Sequence, residues 1–176
     1  MRLKTPPGSI TRPITDRGKE ALFNIISADI VGSFFIDLFA GSGSVGIEAL
    51  SRGAEFVRFI EKNKIAFKIT GQNIEASKLS DKTDAFNMDA FKYIENYESQ
   101  IRFDYAYIAP PQYKGMWSKM LNKLDKNIRH LNPYAWVICQ IDPVEYEAFE
   151  FKNFTEFDQR KYGDTLLIFY SFNKFV

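Results

Sequence analysis

Cysteine and histidine are almost absent from this chain. One cysteine, Cys139, and one histidine, His130, occur in 176 residues. A single thiol excludes an internal disulfide and any multi-cysteine metal site, and it suits a reducing cytoplasm. A single imidazole leaves no basis for a histidine-rich metal centre or a histidine proton relay, so no metal is expected. No stretch approaches the ~20 apolar residues of a membrane span. The opening Met1-Arg2-Leu3-Lys4-Thr5-Pro6-Pro7 lacks the apolar core of a signal peptide. A cytoplasmic protein without membrane contact follows as the expectation. Its chemistry must fall to carboxylates, amides, backbone groups or a cofactor.

What is present is ordinary globular composition: 45% hydrophobic residues, 26% charged and a net charge of +1. The charge is unevenly spread. Residues 1–19 hold Arg2, Lys4, Arg12, Arg17 and Lys19 against the single acid Asp16, which leaves the rest slightly acidic. Such an arm suits phosphate contact, although a solvated tail reads the same way from charge alone. Residues 1–14 are thus taken as an extended basic arm and 15–176 as one domain. The 17 Phe and 9 Tyr are scattered through candidate strands, where they serve a core more often than a stacking platform.

Three prolines and a glycine keep residues 5–13 extended. Thr15 caps a helix from Asp16 to about Ser27, with Ala21, Leu22, Ile25 and Ile26 on its apolar face. Strand and helix signals then alternate. Strands are expected at Phe34–Phe39, Phe56–Ile60, Thr83–Asn87, Phe103–Ile108 and Trp136–Ile141. Helices are expected at Val45–Ser51, Lys62–Leu79 (with Ile65, Ile69 and Ile74 inward), Ala90–Tyr97 and near Gly115–Leu131. Alternation of this kind means a parallel sheet covered on both faces. The last two strands, Glu156–Lys161 and Thr165–Phe172, are separated only by Tyr162-Gly163-Asp164 and must form an antiparallel hairpin. The expected fold is α/β and Rossmann-like: a mostly parallel seven-stranded sheet closed by that hairpin, with helices on both faces.

Asp37-Leu38-Phe39-Ala40-Gly41-Ser42-Gly43-Ser44-Val45-Gly46 carries the chemistry. It follows a strand and opens a helix, as a nucleotide-binding glycine loop does. Glycines let the backbone approach a ligand, and N–H groups gather at the positive helix end. Glu61, at the end of the next strand, can accept both hydroxyls of a ribose. The spacing Gly41-x-Gly43-x-x-Gly46 also satisfies the dinucleotide fingerprint. Asp37 argues against a dehydrogenase, because a carboxylate there suits a ligand ammonium, and the chain is too short for a second nucleotide half plus a substrate domain. No Gly-Lys-Ser/Thr follows the loop, which excludes a P-loop. An adenosine carrying an amino acid fits best.

Asp37-x-Phe39-x-Gly41-x-Gly43 resembles the first motif of amine-directed S-adenosylmethionine methyltransferases. Leu3-Lys4-Thr5-Pro6, Arg12-Pro13-Ile14-Thr15-Asp16-Arg17, Lys19 to Asn24 and Asp37 to Ala54 together resemble the RsmD-type bacterial 16S ribosomal RNA guanine-N2 methyltransferases. The similarity is dense over residues 3–63 and thins beyond about residue 113. It implies S-adenosylmethionine as cofactor, with Phe39, Gly41, Ser42 and Gly43 lining it and Asp37 on its ammonium. Glu61 would take the ribose, and Asp89, followed by Ala90, the adenine amine. Asp89 reads equally well as a helix N-cap. Arg2, Lys4, Arg12 and Arg17 would face the substrate, 16S rRNA in a small subunit or its assembly intermediate, bound by a monomer.

The catalytic segment departs from the family. An Asp, Asn or Ser precedes Pro-Pro and an aromatic residue in base-amine methyltransferases, whereas here the order is Ala109-Pro110-Pro111-Gln112-Tyr113. An exocyclic amine must be hydrogen-bonded and pyramidalised before it can attack. Ala109 offers no side-chain acceptor, and Tyr113 comes one place late to stack on a flipped base. The Pro110 carbonyl remains, with Gln112 or a water as replacement acceptor. The alternative is a cofactor-binding but catalytically weak RNA-binding or ribosome-assembly protein.

Overall fold

In the computed structural model, residues 2–8, 13–112 and 115–173 are described. Among them the strands are β1 (Phe34–Asp37), β2 (Phe56–Ile60), β3 (Thr83–Phe86), β4 (Phe103–Ile108), β5 (Leu131–Ile141), β6 (Phe154–Tyr162) and β7 (Thr165–Phe172). The helices are α1 (Asp16–Ile26), α2 (Ser44–Ser51), α3 (Lys64–Ser77), α4 (Ala90–Asn96) and α5 (Met116–Asp125). One sheet runs in the order β3-β2-β1-β4-β5-β7-β6. The first five strands pair in parallel, and β7 enters antiparallel between β5 and β6. The order reverses at β1, and in open α/β sheets ligands settle beyond the carboxyl ends of strands at such a point.

Alternation along each strand divides the core in two. Ile36, Leu38, Ala106 and Ile108 face a cluster with Tyr93, Ile94, Trp117 and Leu121 of α4 and α5. Phe35, Val57 and Phe59 face Leu22, Phe23, Ile47 and Ile74 of α1, α2 and α3. The expected sheet and hairpin are therefore present, with β2, β4 and β7 at the expected boundaries.

Several expectations needed correction: β1 stops at Asp37 rather than Phe39, β3 stops at Phe86 rather than Asn87, and β6 runs from Phe154 to Tyr162 rather than from Glu156 to Lys161. The helix near Gly115–Leu131 ends at Asp125, and β5 starts earlier, at Leu131. The long third helix begins at Lys64, because the Asn63 side chain caps it by accepting from Ala66 N at 2.9 Å. Ile65, expected inward, is exposed in that first turn, while Ile74 is buried. The His130 ring is buried, its Nε2 2.8 Å from Ile94 O, and burial lowers its pKa. Burial likewise raises the Cys139 thiol well above its usual range.

Candidate active site

The carboxyl ends of β1, β2 and β4 open on one edge. After β1 the chain turns back through Ala40–Gly43, with Gly43 N donating to Ala40 O at 2.8 Å. Gly41 (φ 58°) and Gly43 (φ 81°) adopt left-handed conformations that cost a glycine little. Gly43 occupies the N-cap position of α2. The third glycine, Gly46, answers a packing need: a Cβ there would lie 2.3 Å from Phe59 Cε1 and 2.8 Å from Val57 Cγ1. The loop's carbonyls are also held, Gly41 O by Thr70 Oγ1 at 2.7 Å and Ser42 O by Asn73 Nδ2 at 2.8 Å.

Glu61 stands just beyond β2 and fixes the loop from the other side. Its Oε2 accepts from Gly41 N at 2.7 Å and its Oε1 from Asn63 N at 2.9 Å. Asp37, the last residue of β1, is 1% exposed and accepts from Phe39 N at 3.3 Å. Burial, reinforced by the Glu61 charge and opposed by that N–H, pushes its carboxyl up to about 7. A buried carboxylate so penalised is relieved by a cation beside it. Phe39 packs edge-on against Phe91 at 6.4 Å.

Asp89 caps α4, accepting from Lys92 N at 3.1 Å, and lies 3.7 Å from Lys62 Nζ. Ala90 behind it is buried. The capping role is thus realised, and half-buried Asp89 sits at the carboxyl edge after β3. Ala109, Pro110 and Gln112 follow β4 and line one cleft with Gln140, Asp142 and Asp164. Pro111 is half-buried and Gln112 exposed. Tyr113 and Arg12 lie outside the described residues. Arg2, Lys4 and Arg17 are all exposed.

Two features escaped sequence reasoning. One is Asn73, 2% exposed, whose amide accepts from Lys4 N and donates to Lys4 O, both at 2.9 Å, while also holding Ser42 O. The basic arm is thereby pinned beside the glycine loop. The other is the group Gln140, Asp142 and Asp164 facing the Pro-Pro segment. It comes from the end of β5 and the hairpin turn, where no local motif marks it.

A family model described as Conserved hypothetical protein 95 matches residues 1–171. The chain belongs to that family. Ribosomal RNA small subunit methyltransferase D of Haemophilus influenzae is 33% identical over 132 residues, 74% of this chain and 68% of that protein. The kinship expected from the RsmD-type motifs therefore stands. The solved structure of yhhF from Escherichia coli superposes with a TM-score of 0.84 at 26% identity, covering 97% of this chain and 91% of that one. An RNA methyltransferase from Salinibacter ruber, solved in complex with S-adenosyl-L-homocysteine, shares the fold with a TM-score of 0.65 at 15% identity, covering 94% and 96%.

Proposed function

We propose that this protein is an S-adenosylmethionine-dependent methyltransferase acting on the exocyclic N2 amine of a guanine in 16S ribosomal RNA. The observation that carries it is the convergence of Asp37, the held glycine loop, Glu61 and the Ala109–Pro110 backbone at one carboxyl edge. The neighbouring fold solved with the product form of this cofactor, and the relative named for small-subunit RNA, support the same reading.

The residues fit the cofactor. Asp37 is a buried carboxyl whose charged form is penalised until a cation stands beside it, which suits the methionine ammonium. Glu61 is already aligned by two backbone N–H groups, so its carboxylate can receive the ribose hydroxyls with little reorganisation. When bound, the cofactor supplies an electrophilic sulfonium methyl group. The protein's own part is to hold and strip water from the attacking amine. Pro110 and Pro111 fix the backbone so that the Pro110 carbonyl can accept one amine hydrogen. Gln112 or a bound water accepts the other, in place of the side-chain oxygen that Ala109 lacks. Arg2, Lys4 and Arg17, all exposed, would face the RNA phosphates, with Lys4 anchored beside the glycine loop through Asn73.

Small subunits lacking the modification, incubated with protein and methyl-labelled cofactor, should yield N2-methylguanine in 16S RNA by mass mapping. Glu61→Ala should weaken cofactor binding by about 1–3 kcal/mol in calorimetry. A methylated base other than guanine, or equal affinity for NAD, would defeat the reading. Ala109 favours a second reading, a cofactor-binding assembly protein with little catalysis. A silent wild type whose Ala109→Asp variant turns over would establish that one, since a lost transition-state hydrogen bond costs roughly 10²–10³ in rate.

A further inference from the structure

The opposite end of the sheet carries a second cleft. It lies at the amino ends of β1, β4 and β5, has a volume of about 360 Å³, and is lined by residues that include Asp29, Asp104, Tyr105, Tyr134 and Trp136. Its rim is built by an irregularity in β5. Leu131 pairs with Phe103 and Trp136 with Tyr105, so residues 132–135 bulge opposite Asp104 alone. Asn132 anchors the bulge by donating to Asp104 Oδ1 at 3.0 Å and to Arg102 O at 3.2 Å. Bulges commonly re-aim a side chain, and here Tyr134 stands 70% exposed at φ 64°, a costly conformation for a bulky residue.

The floor of the cleft is the more telling part. Tyr105 is 6% exposed, and its hydroxyl makes no hydrogen bond to any described residue. Its ring lies edge-on to Trp136 at 5.9 Å. The phenol lies within electrostatic reach of Asp29 and Asp104, and burial together with those charges pushes it up to about 12. The side chain is buried but its oxygen reaches the cleft, and with no partner in the described protein it is left to accept from whatever enters there.

We propose that this cleft binds the guanidinium of an arginine presented by a basic protein partner. Two carboxylates repel phosphate and attract a cation. Exposed Tyr134 offers a π face beside Trp136, whose own ring packs on Tyr105, Phe157 and Phe169, and the Tyr105 oxygen offers an acceptor. A planar guanidinium uses all three together, forking onto a carboxylate and lying over a ring, which a compact ammonium does less well. The site lies across the sheet from the glycine loop, so it is independent of the methyl-transfer chemistry.

Titration of the intact protein with acetyl-Gly-Arg-Gly-amide, followed by tryptophan fluorescence and calorimetry, tests this directly. The arginine peptide should bind in the millimolar range or tighter, and the same peptide with citrulline should not. Tyr105→Phe should weaken binding about tenfold by removing the acceptor for a charged donor. Asp29→Asn, at an exposed residue, should weaken it about threefold. Circular dichroism of both variants checks that they are folded. Equal binding of the citrulline peptide, affinity unchanged in both variants, tighter binding of free arginine than of the peptide, or no binding at millimolar peptide would each overturn the proposal.

Discussion

The two ends of the sheet solve one backbone problem with opposite residues. At the carboxyl edge, left-handed conformations fall on Gly41 and Gly43, where they cost almost nothing. At the amino edge a left-handed conformation falls on Tyr134, where it costs of the order of 1 kcal/mol or more. Economy at one end and strain at the other teach that a site need not announce itself by glycine. The strained end is held by its surroundings, Asn132 and Asp104 in particular.

The largest effect expected at the carboxyl edge is electrostatic. With its carboxyl raised from 3.8 to about 7, Asp37 binds a proton more tightly in the folded protein than in the unfolded chain. Its contribution is therefore intact below about pH 4 and is lost progressively as pH rises to about 7. In Asp37→Asn that loss should vanish, leaving the cofactor-free variant more stable than wild type at pH 8 by an amount of the order of a few kcal/mol. Urea unfolding at pH 4, 6 and 8 measures it; parallel pH profiles for the two proteins would mean that Asp37 is not the titrating group.

Next comes the packing at Gly46. A methyl group there meets Phe59 and Val57 at impossible distances, so Gly46→Ala should destabilise by about 3 kcal/mol. A loss below about 1 kcal/mol would show that the α2–β2 contact can yield. The smallest effect belongs to the other end. Tyr134→Gly should relieve the left-handed strain and leave stability unchanged or up to about 1 kcal/mol higher, despite removing a large side chain. Thermal unfolding would expose a clear loss, and with it a packing role for the exposed ring.

The same contrast explains what could be read from the sequence. The glycine loop and Glu61 were legible as a nucleotide-type turn because the glycines fall between a strand and a helix and the acid at the next strand's end, and Asp37 stood out as a carboxylate in an otherwise apolar strand. The alternating elements were legible for a similar reason, since β2, β4 and β7 are short apolar runs between turn formers. Helix α3 began later than expected because Asn63 outcompeted Lys62 as its start, a matter of one side-chain hydrogen bond. Asn73 was invisible because its partners lie 69 and 31 residues away. Tyr134 was invisible because no local rule predicts a tyrosine at positive φ. Gln140, Asp142 and Asp164 met the Pro-Pro segment only once β5 and the hairpin had taken their places.

The position of β7 has a consequence for the order in which the molecule is made. It is the last of the described strands, yet it lies inside the sheet, with Leu167, Ile168 and Phe169 fully buried between β5 and β6. As the polypeptide leaves the ribosome, β1 to β5 can pair and the glycine loop can take shape while the far edge of β5 still stands open. That edge is an exposed row of unpaired backbone groups flanked by apolar side chains, the kind of surface that captures stray strands. It closes only when the final strand arrives and inserts, so the interval between the synthesis of Ile141 and that of Phe172 is the period in which the nascent protein is most vulnerable to aggregation.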